Sequence, residues 1–227
     1  MKLRSLAVAA ALGLLAVVVP AQAGAVKVNV RVEGKDRTLL ERNVNTFVHD
    51  VTGDSTGPHK CDGTNGAANP APAPTLTSAF DDATKQSSVT WQGSWSQSFE
   101  DFIINTVGPD SSSSSQFWGT VLNYRDTDAG GCQVQVRTGD QVLVAYDSFG
   151  KRKLRLTGDN GSRSREVFAL FVLDGVTGDR VAGATVGGKT TNSQGRVLLR
   201  ITKRGLYRFK ATAADSVRSN AWKVRIK

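Results

Sequence analysis

The chain has 227 residues, a formal net charge of +9, and only two cysteines and two histidines. That length suits one large domain or two small ones, and two histidines leave histidine-base chemistry few candidates. No H-E-x-x-H or Rossmann G-x-G-x-x-G fingerprint occurs.

The first element is a targeting pattern. Lys2 and Arg4 head an unbroken run of apolar and small residues from Leu6 to Val19, and Ala21-Gln22-Ala23 follows as an A-x-A site. This predicts a signal peptide over residues 1–23, cleaved after Ala23, with Ala25 the alternative. The run is shorter than the ~20 residues a bilayer span needs, and no later stretch reaches that length. The expected mature protein has 204 residues, no transmembrane segment, and a secreted, extracellular or cell-wall-associated location. Its charge is uneven: residues 24–160 hold 13 basic and 16 acidic side chains, whereas residues 161–227 hold 14 basic and 4 acidic. Such asymmetry predicts two modules with different surfaces.

Val26 to Val32, VKVNVRV, alternates at period two and predicts a half-buried strand. Glu33 to Asp36 is turn chemistry, and a second extended segment around TLLERNVNTF completes a hairpin. A loop rich in Gly, Pro, Asn and Ala follows, up to Pro74. Thr75 is a fair N-cap, and Leu76, Ala79, Phe80 and Ala83 recur at helical spacing, so Leu76–Gln86 is the one expected helix. Ser88–Trp91, Phe102–Val107, Phe117–Tyr124, Gln133–Val136 and Gln141–Tyr146 read as extended. Thr157 to Arg165 reads as a Gly/Asn/Ser linker, and from Glu166 onward only short strands and turns appear. The expected fold is mainly β with one short helix. It comprises an α+β domain over residues 24–158 and a small β-sandwich over residues 164–227.

Cys61 and Cys132 are an even pair in a chain expected to be exported, which favours a disulfide. A zinc site would need about four ligands, and no C-x-x-C is present. A cysteine nucleophile would need a base and an orienting partner that sequence does not supply. Trp118 and Tyr124, six apart on one expected strand, share a face; with Trp91 or Trp95 they form either an apolar wall for a planar ligand or core packing beneath the helix. Asp81-Asp82 and Glu100-Asp101 are adjacent carboxylate pairs, read as solvated or capping. In the basic half, Arg200, Arg208 and Lys210 alternate with apolar residues, so an outward cationic face is expected, with Leu198 and Leu206 as apolar exceptions on it. Such a face draws anions in a salt-sensitive way.

Two family resemblances add to this. HKCDGTN, PTLTSAF, FWGTVLNY and GGCQVQVRTGDQVLVAY together resemble the domain at the C-terminus of transcobalamin and intrinsic factor, also found in bacterial surface proteins. The matching positions are Thr75, Trp118 and Asn123, and Gly139-Asp140. The resemblance implies a β-grasp-like, soluble-ligand-binding module in which Cys61 and Cys132 pair. The second covers about Val167 to Ile226. Gly183-Ala184-Thr185-Val186, Thr191 to Gly195, and Gly205-Leu206-Tyr207 resemble the strands and turns of bacterial Ig-like or carboxypeptidase-regulatory-like sandwiches, which implies a spacer or adhesive unit.

The expected function is that of a secreted non-enzymatic cell-envelope protein, a ligand-binding or interaction module. It has no catalytic residue, metal or cofactor. Its partner is a small molecule or a cell-envelope component, not nucleic acid. The alternative is a structural or adhesive surface protein whose basic sandwich binds anionic wall polymers.

Overall fold

A computed structural model describes residues 24–227. The expected signal peptide lies outside the described residues. β1 (Val26–Glu33) and β2 (Thr38–Thr46) form an antiparallel hairpin. After a long loop come α1 (Leu76–Lys85), then β3 (Trp91–Ser96), β4 (Asp101–Val107) and β5 (Asp110–Ser111), which make a small antiparallel sheet of their own. β6 (Trp118–Leu122), β7 (Arg125–Asp126) and β8 (Gln141–Tyr146) return to the first sheet. Its strand order is β2-β1-β8-β6-β7, with β1 and β8 parallel at the centre.

The helix forms where its signals stand. Thr75 and Ser78 make a capping box, each side chain accepting from the other's backbone N–H at 3.1 and 2.8 Å. Leu76, Ala79, Phe80 and Ala83 are fully buried in one cluster with Val28, Val30, Val32, Val142 and Val144 from the sheet. Burial of Leu76 or Phe80 stabilises by about 2–3 kcal/mol each. The valines of β1 thus face the helix. Arg31 and Glu33 on the opposite face are also buried, because the second half of the chain covers that side.

That half comprises β9 (Arg152–Gly158), β10 (Gly161–Ser162), β11 (Val167–Asp174), β12 (Thr185–Val186), β13 (Lys189–Thr190), β14 (Arg196–Arg200), β15 (Gly205–Phe209), β16 (Ala211–Thr212), β17 (Ser216–Val217) and β18 (Trp222–Ile226). They build three sheets, ordered β14-β11-β9-β17, β10-β18-β15 and β13-β12-β16. Leu156, Phe168, Leu170, Leu199, Phe209 and Val224 lie in their common core. The protein is mainly β with one α-helix among the described residues, and no helix there is long and apolar enough to cross a membrane.

The structure redraws the boundary at residue 158. β9 pairs with β11 over five positions, so residues 152–158 belong to the second unit. The stretch expected as a linker, Thr157 to Arg165, holds the end of β9 and all of β10. Gly158, at φ 141°, brings its backbone so close to Ala169 that a Cβ there would stand 2.4 Å from the Ala169 carbonyl oxygen. The Gly and Asn that suggest a flexible joint instead make a tight passage between two sheets. The break between units falls at residues 147–151. Two smaller expectations also shift. β3 begins at Trp91 and runs to Ser96, and residues 133–136 form no strand but a single bridge from Gln135 to Thr75, flanked by bonds from Leu76 N–H to the Val134 carbonyl and from Val136 N–H to the Pro74 carbonyl.

The two units are clasped together. Glu33, 2% exposed, accepts from Arg218 Nε at 2.8 Å and from Lys210 Nζ. Lys210 also reaches Glu41 at 3.0 Å. Arg218 donates to the carbonyls of Gly34, Lys35 and Arg37 in the β1–β2 turn. Val217 packs with Val121, Leu143 and Ala145 on the face of the first sheet turned away from α1.

Candidate functional site

The Cys61–Cys132 disulfide is present, with Cα atoms 4.5 Å apart. It pins the long loop between β2 and α1 against the turn before β8. Both sulfurs are fully buried beside Val51 and Phe102, with Trp91 and Trp95 packed against them. The pinned loop and β3 form the two walls of an open groove of about 730 Å³, with Asn105 of β4 beside them.

One wall is Thr52–Thr56, the other Trp91–Trp95. They are stitched by Gly93 N–H to the Gly53 carbonyl at 2.7 Å and by Trp95 N–H to Asp54 Oδ2 at 2.8 Å. Gly53 is required here. A Cβ would stand 2.4 Å from the Trp91 ring, so only glycine lets the loop lie on the indole. Trp95 stacks on His59 with ring centroids 4.2 Å apart and meets Phe102 edge-on at 5.0 Å. Asn105 Nδ2 donates to Ser94 Oγ at 2.6 Å, so both side chains are positioned on the exposed face of the β3–β4 ladder. The groove therefore offers an aromatic ring framed by amide, hydroxyl and carboxylate groups, a lining that suits a small polar ligand with a flat face.

Asp54, Thr56 and His59 meet in this wall. Asp54 Oδ1 and His59 Nε2 both contact the Thr56 hydroxyl, and they lie 3.7 Å from each other. A nucleophile relay needs the carboxylate on the far nitrogen of the imidazole, so that it orients the base. Here both groups converge on one hydroxyl, which has a single proton to share. The arrangement tightens the loop and lacks the orienting step of a relay. Thr56 hydroxyl and backbone N–H bonds hold the Asp54 carboxyl below the usual carboxylate range.

Behind the groove is a second polar cluster. Trp91 Nε1 donates to Asp81 Oδ1 at 3.1 Å, Lys85 Nζ lies 2.6 Å from Asp81 Oδ2, and His49 Nε2 lies 3.5 Å from Asp81 and 3.8 Å from Asp82. The Asp81 carboxylate raises the His49 imidazole above its usual value, against the opposing effect of burial. Burial also opposes ionisation of Asp81, but hydrogen bonds from His49, Lys85 and Trp91 outweigh it and hold this carboxyl low. Asp82 is raised, chiefly by burial. Asp101 is buried next to the disulfide, where desolvation raises it to about 6 although it accepts from the N–H groups of Phe102 and Cys132. The carboxylate pairs expected to be solvated thus include two buried members, Asp81 and Asp101.

Of the four aromatic residues expected to form a ligand wall, the structure brings together Trp91 and Trp95. Trp118 is 6% exposed in the core beneath α1, edge-on to Tyr146 at 5.5 Å. Tyr124 is not on the same strand face. It lies past the end of β6 with φ 70°, and its hydroxyl donates to Asn220 of the second unit at 3.3 Å. The period-two argument fails there because the strand stops at Leu122. Asp54, Ser94 and Asn105 escaped the sequence reading. Asp54 stands in a loop rich in turn residues, and neither Ser94 nor Asn105 is a distinctive residue type.

The basic residues separate as well. Arg208 is exposed on β15 and Arg200 on β14, which belong to different sheets. Lys210 is committed to Glu33 and Glu41 at the clasp, so it leaves the expected polyanion set. Leu198 and Leu206 are exposed at 44% and 53%, as their places in the alternation imply. Compared with known proteins, the chain matches no family model and no curated protein.

Proposed function

We propose that this is an exported, non-enzymatic binding module of the cell envelope that holds a small soluble ligand in the groove between residues 52–56 and β3. The observation that carries this is the groove itself. Trp95 is held by its stack on His59 and its backbone bond to Asp54, while Asn105 and Ser94 are fixed beside it. Preorganised aromatic and polar groups around an open volume are what small-ligand sites use. The likeness to the transcobalamin C-terminal domain fits this reading. The hairpin, helix and returning strands, with first and last strands parallel at the centre and the helix across one face, agree with a β-grasp-like module. The disulfide fits an oxidising compartment. The packed second unit fits an Ig-like display arm.

The test is native mass spectrometry of the protein purified from its own host. The expected result is a non-covalent adduct that survives gentle ionisation and is lost in Trp95→Ala and Asn105→Ala. Recovery of the bare chain alone, or an adduct unaffected by both substitutions, rejects the groove as a ligand site.

A further inference from the structure

The charge of the second unit is not spread evenly over it. β18 runs antiparallel to β15, with Arg208 directly opposite Lys223 and Leu206 directly opposite Arg225. Arg208, Lys223, Arg225 and Leu206 are all exposed, while Phe209, Val224 and Ile226 point into the core. Lys227 continues the exposed series two residues beyond Arg225. The outer face of this ladder is therefore cationic, with one exposed leucine set among the charges.

Its composition works against stability. Like charges directly opposite on neighbouring strands repel, where an acidic partner would attract. Among the described residues none of Arg208, Lys223, Arg225 and Lys227 takes part in an ion pair; the cations of this unit that do are Arg152 and Lys153 on β9, paired with Asp174 and Asp126, and Lys210 and Arg218 at the clasp. Four of the unit's five acidic side chains are occupied elsewhere: Asp159 with the Ala169 N–H, Glu166 with the Arg163 N–H, Asp174 with Arg152, and Asp179 with the Thr177 hydroxyl; the fifth, Asp215, immediately precedes β17, in a different sheet. Protection of a sheet edge against aggregation is a common reason for exposed lysines. It does not account for Lys223 and Arg225, because β18 is the central strand of its sheet, between β10 and β15.

We propose that this face binds an extended, phosphate-bearing polymer. Positive groups repeat about every 7 Å along a strand and about 5 Å across the ladder. An array that repeats along a direction complements a charge that repeats along a chain, whereas a compact anion needs donors converging on one point. The face is separate from the aromatic groove, so this binding stands whether or not the groove holds a ligand.

The test uses the full chain and long-chain inorganic polyphosphate, with orthophosphate and phosphatidylglycerol vesicles as comparison ligands. Arg208→Gln with Lys223→Gln is set against Arg196→Gln with Arg200→Gln, which removes the same charge from β14; Arg225→Gln alone serves if the first pair does not fold. The wild-type chain is expected to bind polyphosphate at low salt, with affinity falling steeply as salt rises. The first pair should weaken binding about tenfold and make the log–log salt slope shallower by about 1.4, since each lost contact to a single-stranded polyanion releases ~0.7 fewer counterions. The β14 pair should change affinity less than threefold, roughly the effect of net charge alone. Equal losses from the two pairs, or no binding by wild type at low salt, overturn the proposal. Orthophosphate binding as tightly as the polymer replaces it with a simple anion site, and preferential binding to vesicles replaces it with a membrane surface.

Discussion

Glu33 offers the most direct test of how the two units are held. Its carboxylate is 2% exposed and satisfies Thr38 at 2.9 Å, Arg218 at 2.8 Å and Lys210. Removing one partner of a fully buried ion pair typically costs ~3–5 kcal/mol, because the other charge is left without compensation. Two features lower the figure here. The Lys210 and Arg218 side chains are each about one-fifth exposed, and each keeps other partners: Glu41 for Lys210, and the β1–β2 turn carbonyls for Arg218. The expected loss for Glu33→Ala is therefore about 2–3 kcal/mol. Urea unfolding at neutral pH reads it, followed by both far-UV circular dichroism and tryptophan fluorescence. Wild type should give one coincident transition, because the clasp and the Val217 cluster couple the units. Glu33→Ala should lower the midpoint and separate the two probes. A double-mutant cycle with Lys210→Met should show coupling above about 0.5 kcal/mol. A loss below about 0.5 kcal/mol, with the wild type already unfolding in two steps, would refute the argument that Glu33 couples the units.

Three further outcomes follow from the same structure. Replacing Cys61 and Cys132 together by Ala opens a 71-residue loop, and the chain-entropy model gives about 4 kcal/mol of lost stability, read by the urea midpoint; a loss under about 1 kcal/mol would contradict it. Asp101 is raised from 3.8 to about 6, so the folded state binds its proton more tightly than the unfolded state does; stability from this group is present below pH 3.8 and is lost as pH rises through 6, by about 3 kcal/mol at ~1.4 kcal/mol per pH decade. His49, also raised, adds a decline in the same direction above its ordinary value of 6.5, so thermal midpoints should fall from pH 5 to pH 8, and Asp101→Asn should flatten the lower part of that curve. Acrylamide quenching should be unchanged by Trp118→Phe and reduced by Trp95→Phe, since the first indole is in the core and the second lines the groove; a reduced slope in Trp118→Phe contradicts that placement.

Much of the fold was legible because its signals are local. The Thr75 cap, the helical spacing of Leu76 to Ala83, and the alternation in β1 and β14 each depend on neighbours within a turn or two. The boundary at Thr157–Arg165 was misread because Gly and Asn mark a tight turn and a flexible joint alike. Only the pairing of β9 with β11 distinguishes them, and that pairing is non-local. The site was half legible for the same reason. Aromatic residues announced Trp91 and Trp95, but the groove depends on Gly53 lying against an indole from nearly forty positions away. Lys210 read as surface charge because its partners, Glu33 and Glu41, stand about 170 residues earlier in the chain.

The parallel pairing of β1 with β8 sets an order of assembly. β1 is the first strand of the described chain, yet its central-sheet neighbour begins at Gln141, and the Cys132 that ties down the groove loop comes only shortly before it. As the chain emerges from the N-terminal end, β1 can meet β2 at once, but the hairpin then carries Val28, Val30 and Val32 uncovered on one face until α1 arrives, and an open strand edge until β8 does. The groove loop stays untied through the same interval. Glu33 waits longest, for Lys210 and Arg218. Translation that stalls between residues 61 and 132 should leave a sticky, thiol-bearing intermediate that needs a chaperone, whereas a stall after residue 146 should leave a closed first unit that still lacks the cations of Glu33 and the Val217 cover over Val121, Leu143 and Ala145.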